Sequence, residues 1–304
     1  MVGERPLGPK AFPIVRCMTA EPPQIPGVRR SFVEANGVRF HVTEAGAADG
    51  RPVLALHGYP QHHYEWRDLL ADPPAGLRII APDLPGYGWS GPPRHKWAKE
   101  DVATDVLALL DAMGLDRVLL VAHDWGACVG YLMVLREPER FDGYLATNFP
   151  HPWQPRGKVL PHLWRLYYQV PLATVGVPLQ RYSKYVRFMF KVGSRMDPAD
   201  ARLFADRFRD PVCARAGRDT YRTFLLRDLP SSARHPEQRR ATVPIRALFG
   251  TGDAAVHLSM MSPETAMADD YTLETTDASH FVVDERPDVV REKLIALAEE
   301  TAHV

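Results

Sequence analysis

"LLVAHDWGACVGYLMVL", residues 119–135, is the stretch on which the fold turns. It begins as an unbroken apolar strand pattern, reaches the polar pair His123-Asp124, and resumes as an apolar helix. The run from Val118 to Leu135 is long enough to suggest a membrane span, but His123, Asp124 and Gly126 interrupt it midway, where a bilayer would penalise them heavily. The segment therefore predicts a buried strand that bends sharply into a buried helix. Ala122 and Gly126 stand two residues before and two after Asp124. That is the small-x-nucleophile-x-Gly spacing, in which small neighbours let a strained turn lift the central side chain clear of the backbone. Taken alone, Asp124 would serve equally well as a helix N-cap.

Working outward, "RPVLALHG", "GLRIIAPD", "RVLLVAHD" and "PIRALFGTGD" are short, nearly continuous apolar runs that each end in Gly, His or Asp. Such runs suit parallel strands covered on both faces. Between them, "EDVATDVLALLDAMGL" places Val102, Val106, Leu109, Leu110 and Met113 close to helical spacing. Asn36-Gly37, set between two β-prone stretches, is a strong hairpin signal. Strand and helix alternate, so the fold class is α/β, with a mostly parallel central sheet and helices on both faces. Residues 1–27 are proline-rich and read as an irregular lead-in. Residues 28–150 and 241–304 form the core. Residues 151–240 break the rhythm with many Trp, Tyr and Phe residues, helix-like patterns and no clear strand, and read as an inserted helical lid.

The chain has 304 residues, and its 37 basic and 37 acidic side chains cancel, which argues against nucleic acid as a partner. The charge is uneven: residues 151–240 hold 18 Lys/Arg against 7 Asp/Glu. This suits an Arg-rich solvated helical surface on an acidic body, or a lid that favours anionic substrates. The three cysteines, Cys17, Cys128 and Cys213, are widely spread, so no disulfide framework is expected and a reducing, cytoplasmic compartment is. The N-terminus mixes charges and prolines where a signal peptide needs an apolar run. No HExxH, paired His/Cys, GxGxxG or Walker pattern occurs, so neither a metal nor a cofactor is expected.

"LHGYPQHHYEW" places His57-Gly58 at the end of a strand, with a turn at Tyr59-Pro60 that can aim the Tyr59 N–H at the mouth of the sheet. The Trp125 N–H lies just past the elbow, and the two could form an oxyanion hole. "FGTGD" puts Asp253 beyond a late strand, and "DASHFVVDERP" puts His280 before a final helix. Nucleophile, acid and histidine then follow in the chain order of α/β-hydrolases. His57, His62, His63, His123 and His257 keep a structural reading.

Taken together, "HGYP", "APDLPGYGWSGPP", "AHDWGA", "GTGD" and "SHF" resemble the soluble epoxide hydrolases of the α/β-hydrolase superfamily over roughly residues 28–300. The resemblance implies Asp124 as nucleophile, His280 as base, Asp253 as its orienting acid, and Tyr59 and Trp125 as oxyanion donors. It also implies two lid tyrosines that protonate the leaving oxygen. "TYRTFLLRDLP" nominates Tyr221 for the second. For the first, "WRLYYQVP" departs from the family pattern, with Trp164 where a tyrosine is expected and Tyr167 and Tyr168 one helical turn later. Tyr168 is taken as the donor, with Trp164, Tyr167 and Phe281 lining the substrate.

The chemistry fits an aspartate. A serine opening an epoxide would leave an ether, whereas an aspartate leaves an ester that a histidine-activated water can cleave. The expected substrate is an apolar small-molecule epoxide, handled by a monomer or homodimer with no membrane insertion. Haloalkane dehalogenases share the fold and the Asp nucleophile, and in that alternative Trp125 and Trp164 would be halide ligands. The fluoroacetate dehalogenase relatives carry Arg after the nucleophile, and this chain has Trp125. A non-catalytic binder would have a damaged triad, whereas Asp124, Asp253 and His280 are all present.

Overall fold

The computed structural model describes residues 21–154, 156–232, 240–262 and 267–302. Asn36 and Gly37 both take positive φ, 46° and 78°, and close the turn between β1 (Arg29–Ala35) and β2 (Val38–Gly46), with Ala35 opposite Val38. Two successive left-handed residues match the natural twist of paired strands, which is why Asn-Gly forms the hairpin. The remaining strands are β3 (Arg51–Leu56), β4 (Leu77–Pro82), β5 (Val118–His123), β6 (Phe141–Thr147), β7 (Ile245–Gly250) and β8 (Tyr271–Thr276). They form one eight-stranded sheet in the order β1-β2-β4-β3-β5-β6-β7-β8. β2 runs antiparallel to β1 and β4, and every pairing from β4 to β8 is parallel. All four apolar runs read as strands are strands. β6 and β8, which have no such run, are additions.

The core sits on both faces of this sheet. Leu54, Leu56, Leu120, Ala122, Tyr144 and Ala146 point to one face, where α1 (Lys99–Ala112) and α2 (Asp124–Arg136) pack. Their strand neighbours Val53, Ala55, Leu119, Val121, Leu145 and Leu248 point to the other, against Trp66 and the C-terminal helix Pro287–Glu300. The alternation is the pleat of a strand, and both faces are buried because helices cover both. The run Val118–Leu135 is thus split between β5 and α2, and among the described residues no helix is long and apolar enough to cross a membrane.

Between β6 and β7 the described residues are helical: a 3₁₀ stretch Leu160–Tyr168, then α3 (Gln169–Tyr182), α4 (Tyr185–Gly193), α5 (Pro198–Arg207) and α6 (Pro211–Thr223). Asp197 and Asp210 cap α5 and α6, each accepting from the N–H two residues on, with proline in the first turn. Tyr87 Oη meets Thr220 Oγ1 at 2.6 Å, Arg207 donates to the Gly88 carbonyl at 2.6 Å, and Arg67 bridges Asp200 at 3.0 Å and buried Asp284 at 2.5 Å. These contacts fasten the helical segment to the sheet. Cys128 and Cys213 are free and buried, whereas Cys17 and most of the proline-rich lead-in lie outside the described residues.

Candidate active site

Loops from the carboxyl ends of β3, β5, β6 and β7 converge in one crevice, the place where open parallel sheets bind ligands. At its centre Asp124 takes φ +47°, a left-handed conformation that costs a non-glycine residue energy and tilts the side chain out of the strand-to-helix turn. Two glycines permit the turn. A Cβ on Gly126 would run into the carbonyl oxygens of Leu56 and His57, and one on Gly58 would lie 2.5 Å from Asp124 Cβ. Gly58→Ala is therefore expected to displace the carboxylate and cut turnover about 100-fold, read as kcat of the purified variant.

The Tyr59 N–H donates to Asp124 Oδ2 at 2.9 Å. Asp124 Oδ1 faces His280 Nε2 at 3.6 Å, an ion-pair contact rather than a closed hydrogen bond. His280 Nδ1 meets Asp253 Oδ2 at 2.8 Å. Asp253 Oδ1 accepts from the N–H groups of Ala255 (2.7 Å) and Val256 (2.9 Å), and Oδ2 also accepts from Asn148 Nδ2 (2.7 Å). Asn148 follows β6 with φ +49° and is a site residue that sequence reasoning missed. The Trp125 N–H is one of the first donors of α2, which have no intrahelical partner.

Burial alone would push the Asp253 and Asp124 carboxyls up. His280 and the hydrogen-bond donors around them outweigh it and hold both below the usual range. Burial likewise opposes a charge on His280, but Asp253 and Asp124 prevail and its pKa rises well above the ordinary imidazole value. Replacing Asp124 by Asn removes one of those two negative charges, so the His280 pKa is expected to fall. An NMR titration of the His280 ring in both proteins measures the difference, and an unchanged pKa would rule out the coupling.

A second layer holds these groups. His123 Nδ1 lies 2.9 Å from Glu65 Oε1 and its Nε2 2.8 Å from the His280 carbonyl, and Glu65 Oε2 accepts from the Gly58 N–H at 3.1 Å. Lys99, buried on α1, has Nζ 4.5 Å over the Trp125 ring, donates to the Thr220 carbonyl and reaches Asp228 Oδ2 at 3.0 Å. No local motif marks Lys99 in the sequence.

Asp124 and Tyr168 border two apolar cavities. One, of about 110 Å³, is lined also by Trp125, Phe149, Leu163 and Phe224. The other, of about 180 Å³, is lined by Tyr59, Tyr167, Phe188, Tyr221, His280 and Phe281. Tyr168 and Tyr221 stack edge to face at 5.9 Å, Tyr221 packs edge to face on Trp125 at 5.7 Å, and Tyr168 Oη accepts from Gln169 at 3.3 Å. Burial pushes both tyrosine hydroxyls up, so both keep their protons at neutral pH. Tyr167 reaches the rim of the second cavity from an exposed position. Trp164 is not brought to the site: it is 66% exposed, lines neither cavity and packs against the Arg165 guanidinium at 5.3 Å. This corrects its assignment as a substrate contact, because the turn that carries Tyr168 inward carries Trp164 out.

Among the described residues one group could hold a metal ion, buried His41, His63 and Asp83. Asp83 is already engaged by both imidazole Nδ1 atoms at 2.9 Å and by the N–H groups of His63 and Trp89. The group ties the loop after β4 to β2 and to the turn after β3.

The alpha/beta hydrolase fold family matches residues 51–287. Epoxide hydrolase 4 of Homo sapiens is 27% identical over 290 residues, covering 88% of this chain and 78% of the human protein. An epoxide hydrolase of Caballeronia sordidicola is 39% identical over 127 residues, 41% of this chain and 38% of that one. In fold alone, a Salmonella enterica crystal structure provisionally assigned as an acyltransferase superposes with a TM-score of 0.79 at 23% identity, over 93% of this chain and 99% of the other.

Proposed function

Because the chain belongs to the alpha/beta hydrolase fold family and carries Asp124 at the elbow in line with His280 and Asp253, we propose that it is an epoxide hydrolase that converts an apolar epoxide to a vicinal diol. The single observation that carries the reading is a buried carboxylate bordering the same apolar cavity as two protonated tyrosines, Tyr221 buried and Tyr168 half-buried. Epoxide opening needs a nucleophile on one side and a proton donor on the other. Its epoxide-hydrolase relatives agree with this reading.

In the first step Asp124 Oδ1 attacks an epoxide carbon, the carbon–oxygen bond breaks, and the alkoxide takes a proton from Tyr168 or Tyr221. The product is a hydroxyalkyl ester of Asp124. Ester formation removes the Asp124 charge that helped hold a proton on His280, so that proton can pass to the tyrosinate and the neutral imidazole is available to accept one from water. His280, oriented by Asp253 and Asn148, then takes a proton from water, and the hydroxide adds to the ester carbonyl. Oδ2 receives the developing charge, with the Tyr59 N–H already 2.9 Å away and the Trp125 N–H as second donor. Collapse releases the diol and the carboxylate, and His280 is again protonated beside Asp124, as at the start.

Residues 151–240 act as the lid in this reading, and they supply both tyrosines. Tyr167 and Phe281 line the substrate pocket, and free Cys128 and Cys213 fit a reducing, cytoplasmic compartment. Removing one hydroxyl at a time, Tyr168→Phe or Tyr221→Phe, is expected to lower kcat about 100-fold each. Full activity in the double variant would sink the proton-donor assignment.

Haloalkane dehalogenation is favoured by one feature: Trp125 Nε1 is buried without a well-formed hydrogen bond, although it is near enough to Tyr221 to temper that hydroxyl's upward shift. Its second donor, Trp164, is on the surface. Diol formation from a styrene-type epoxide, measured beside bromide release from a 1-bromoalkane, separates the two readings.

A further inference from the structure

Whole-chain neutrality conceals a lopsided surface. Residues 155–196 contain eight Lys/Arg and no Asp or Glu, so the rest of the chain is acidic by the same amount. The same segment is where apolar side chains reach solvent. Among the described residues, twelve large hydrophobic side chains are exposed, and nine of them lie between Leu160 and Val192. Scattered exposed apolar residues need no explanation, whereas a concentration of this kind marks an interaction surface.

The local geometry makes the concentration a face. In the 3₁₀ stretch, Leu160, Leu163, Trp164 and Tyr167 are all exposed. Val170 extends this exposure into α3. In α4, Val186 and Phe190 are buried while Phe188, Lys191 and Val192 are exposed. Lys158, Lys184 and Lys191 are exposed among these residues, while Arg187 and Arg195 are paired with Asp206 and Asp277. Tyr167, Phe188 and Val192, which are 71%, 58% and 62% exposed, also rim the 180 Å³ cavity that leads to Asp124.

From this we infer that residues 158–192 dock the protein on an anionic phospholipid bilayer, with the cavity mouth facing the membrane. Large apolar and aromatic side chains interleaved with lysine, and opposed by an acidic body, are the composition of an interfacial membrane surface. The charge asymmetry would orient the chain with this face toward a negative surface and its acidic remainder away. A second copy or a folded protein seated here would close the mouth, whereas a bilayer would deliver apolar molecules into it. That last point rests on the proposed reading of the cavity; the docking itself does not.

The test is flotation of the full chain with phosphatidylcholine vesicles and with vesicles in which one-third of the lipid is phosphatidylglycerol. Binding is expected only to the anionic vesicles and should be lost at high salt. Lys184→Glu/Lys191→Glu and, separately, Leu160→Ser/Val170→Ser should each weaken it about tenfold or more, with turnover of a water-soluble epoxide in vesicle-free buffer unchanged. Failure of the wild-type chain to float with anionic vesicles overturns the proposal. So does a dimer in sedimentation analysis that the Leu160→Ser/Val170→Ser variant dissociates, because the face would then be a self-association surface. Vesicle binding without epoxide turnover would leave docking standing and sink the hydrolase reading; turnover without binding would do the reverse.

Discussion

Asp124→Asn is expected to abolish epoxide turnover, by about 10⁴-fold or more, in a protein that folds as the parent does. Asparagine is among the few residues that tolerate the left-handed backbone found at this position, φ +47°. Its amide oxygen can still accept the Tyr59 N–H. What it lacks is the negative charge that attacks carbon in the proposed mechanism. Urea unfolding and circular dichroism of the variant, set beside kcat, separate lost chemistry from lost structure. Residual turnover within tenfold of the parent would exclude a covalent role for Asp124.

His280→Gln tests the second half of the mechanism. Glutamine can keep a hydrogen bond to Asp253, now 2.8 Å from the imidazole, but it cannot take a proton from water. Alkylation of Asp124 should continue while ester hydrolysis slows by about 10³-fold or more. Intact mass after incubation with a styrene-type epoxide should then rise by the full mass of the epoxide, in one equivalent, with the modified peptide containing Asp124. An adduct formed only from a 1-bromoalkane would transfer the assignment to dehalogenation. No adduct from either would remove the ester intermediate from the mechanism.

In the proposed mechanism the two variants are expected to fail at different steps, and the two oxygens of Asp124 face different partners. Oδ2 is held by backbone, and Oδ1 looks toward the histidine. That division of labour follows from the elbow, which is also the part of the site most visible in the chain. The spacing Ala122-Asp124-Gly126 is local, and so is the reason for it: neither Gly126 nor Gly58 can carry a Cβ beside the turn. His280 and Asp253 were legible because each ends an apolar strand or precedes a helix, and chain order carries their relation to Asp124.

Other parts left no local trace. β6, "FDGYLAT", is interrupted by Asp142 and Gly143 and lacks the continuous apolar run of its neighbours, so Asn148 at its end went unnoticed. β8, "YTLETT", is a half-exposed edge strand with polar residues alternating. Lys99 owes its place to Trp125, Thr220 and Asp228, which are distant in sequence.

The sequence by itself determined the alternation of strand and helix, the hairpin at Asn36-Gly37 and the elbow at Asp124, because each depends on side-chain period or on backbone sterics within a few residues. Only the tertiary structure decided which aromatic of "WRLYYQ" turns inward. Trp164 and Tyr168 are four residues apart, a spacing that would put them on one face of an α-helix, but the segment winds as a 3₁₀ helix of about three residues per turn, which turns them to different sides. Long-range packing set its rotation: Tyr168 meets Tyr221 and borders the cavity at Asp124, and Trp164 is left in solvent.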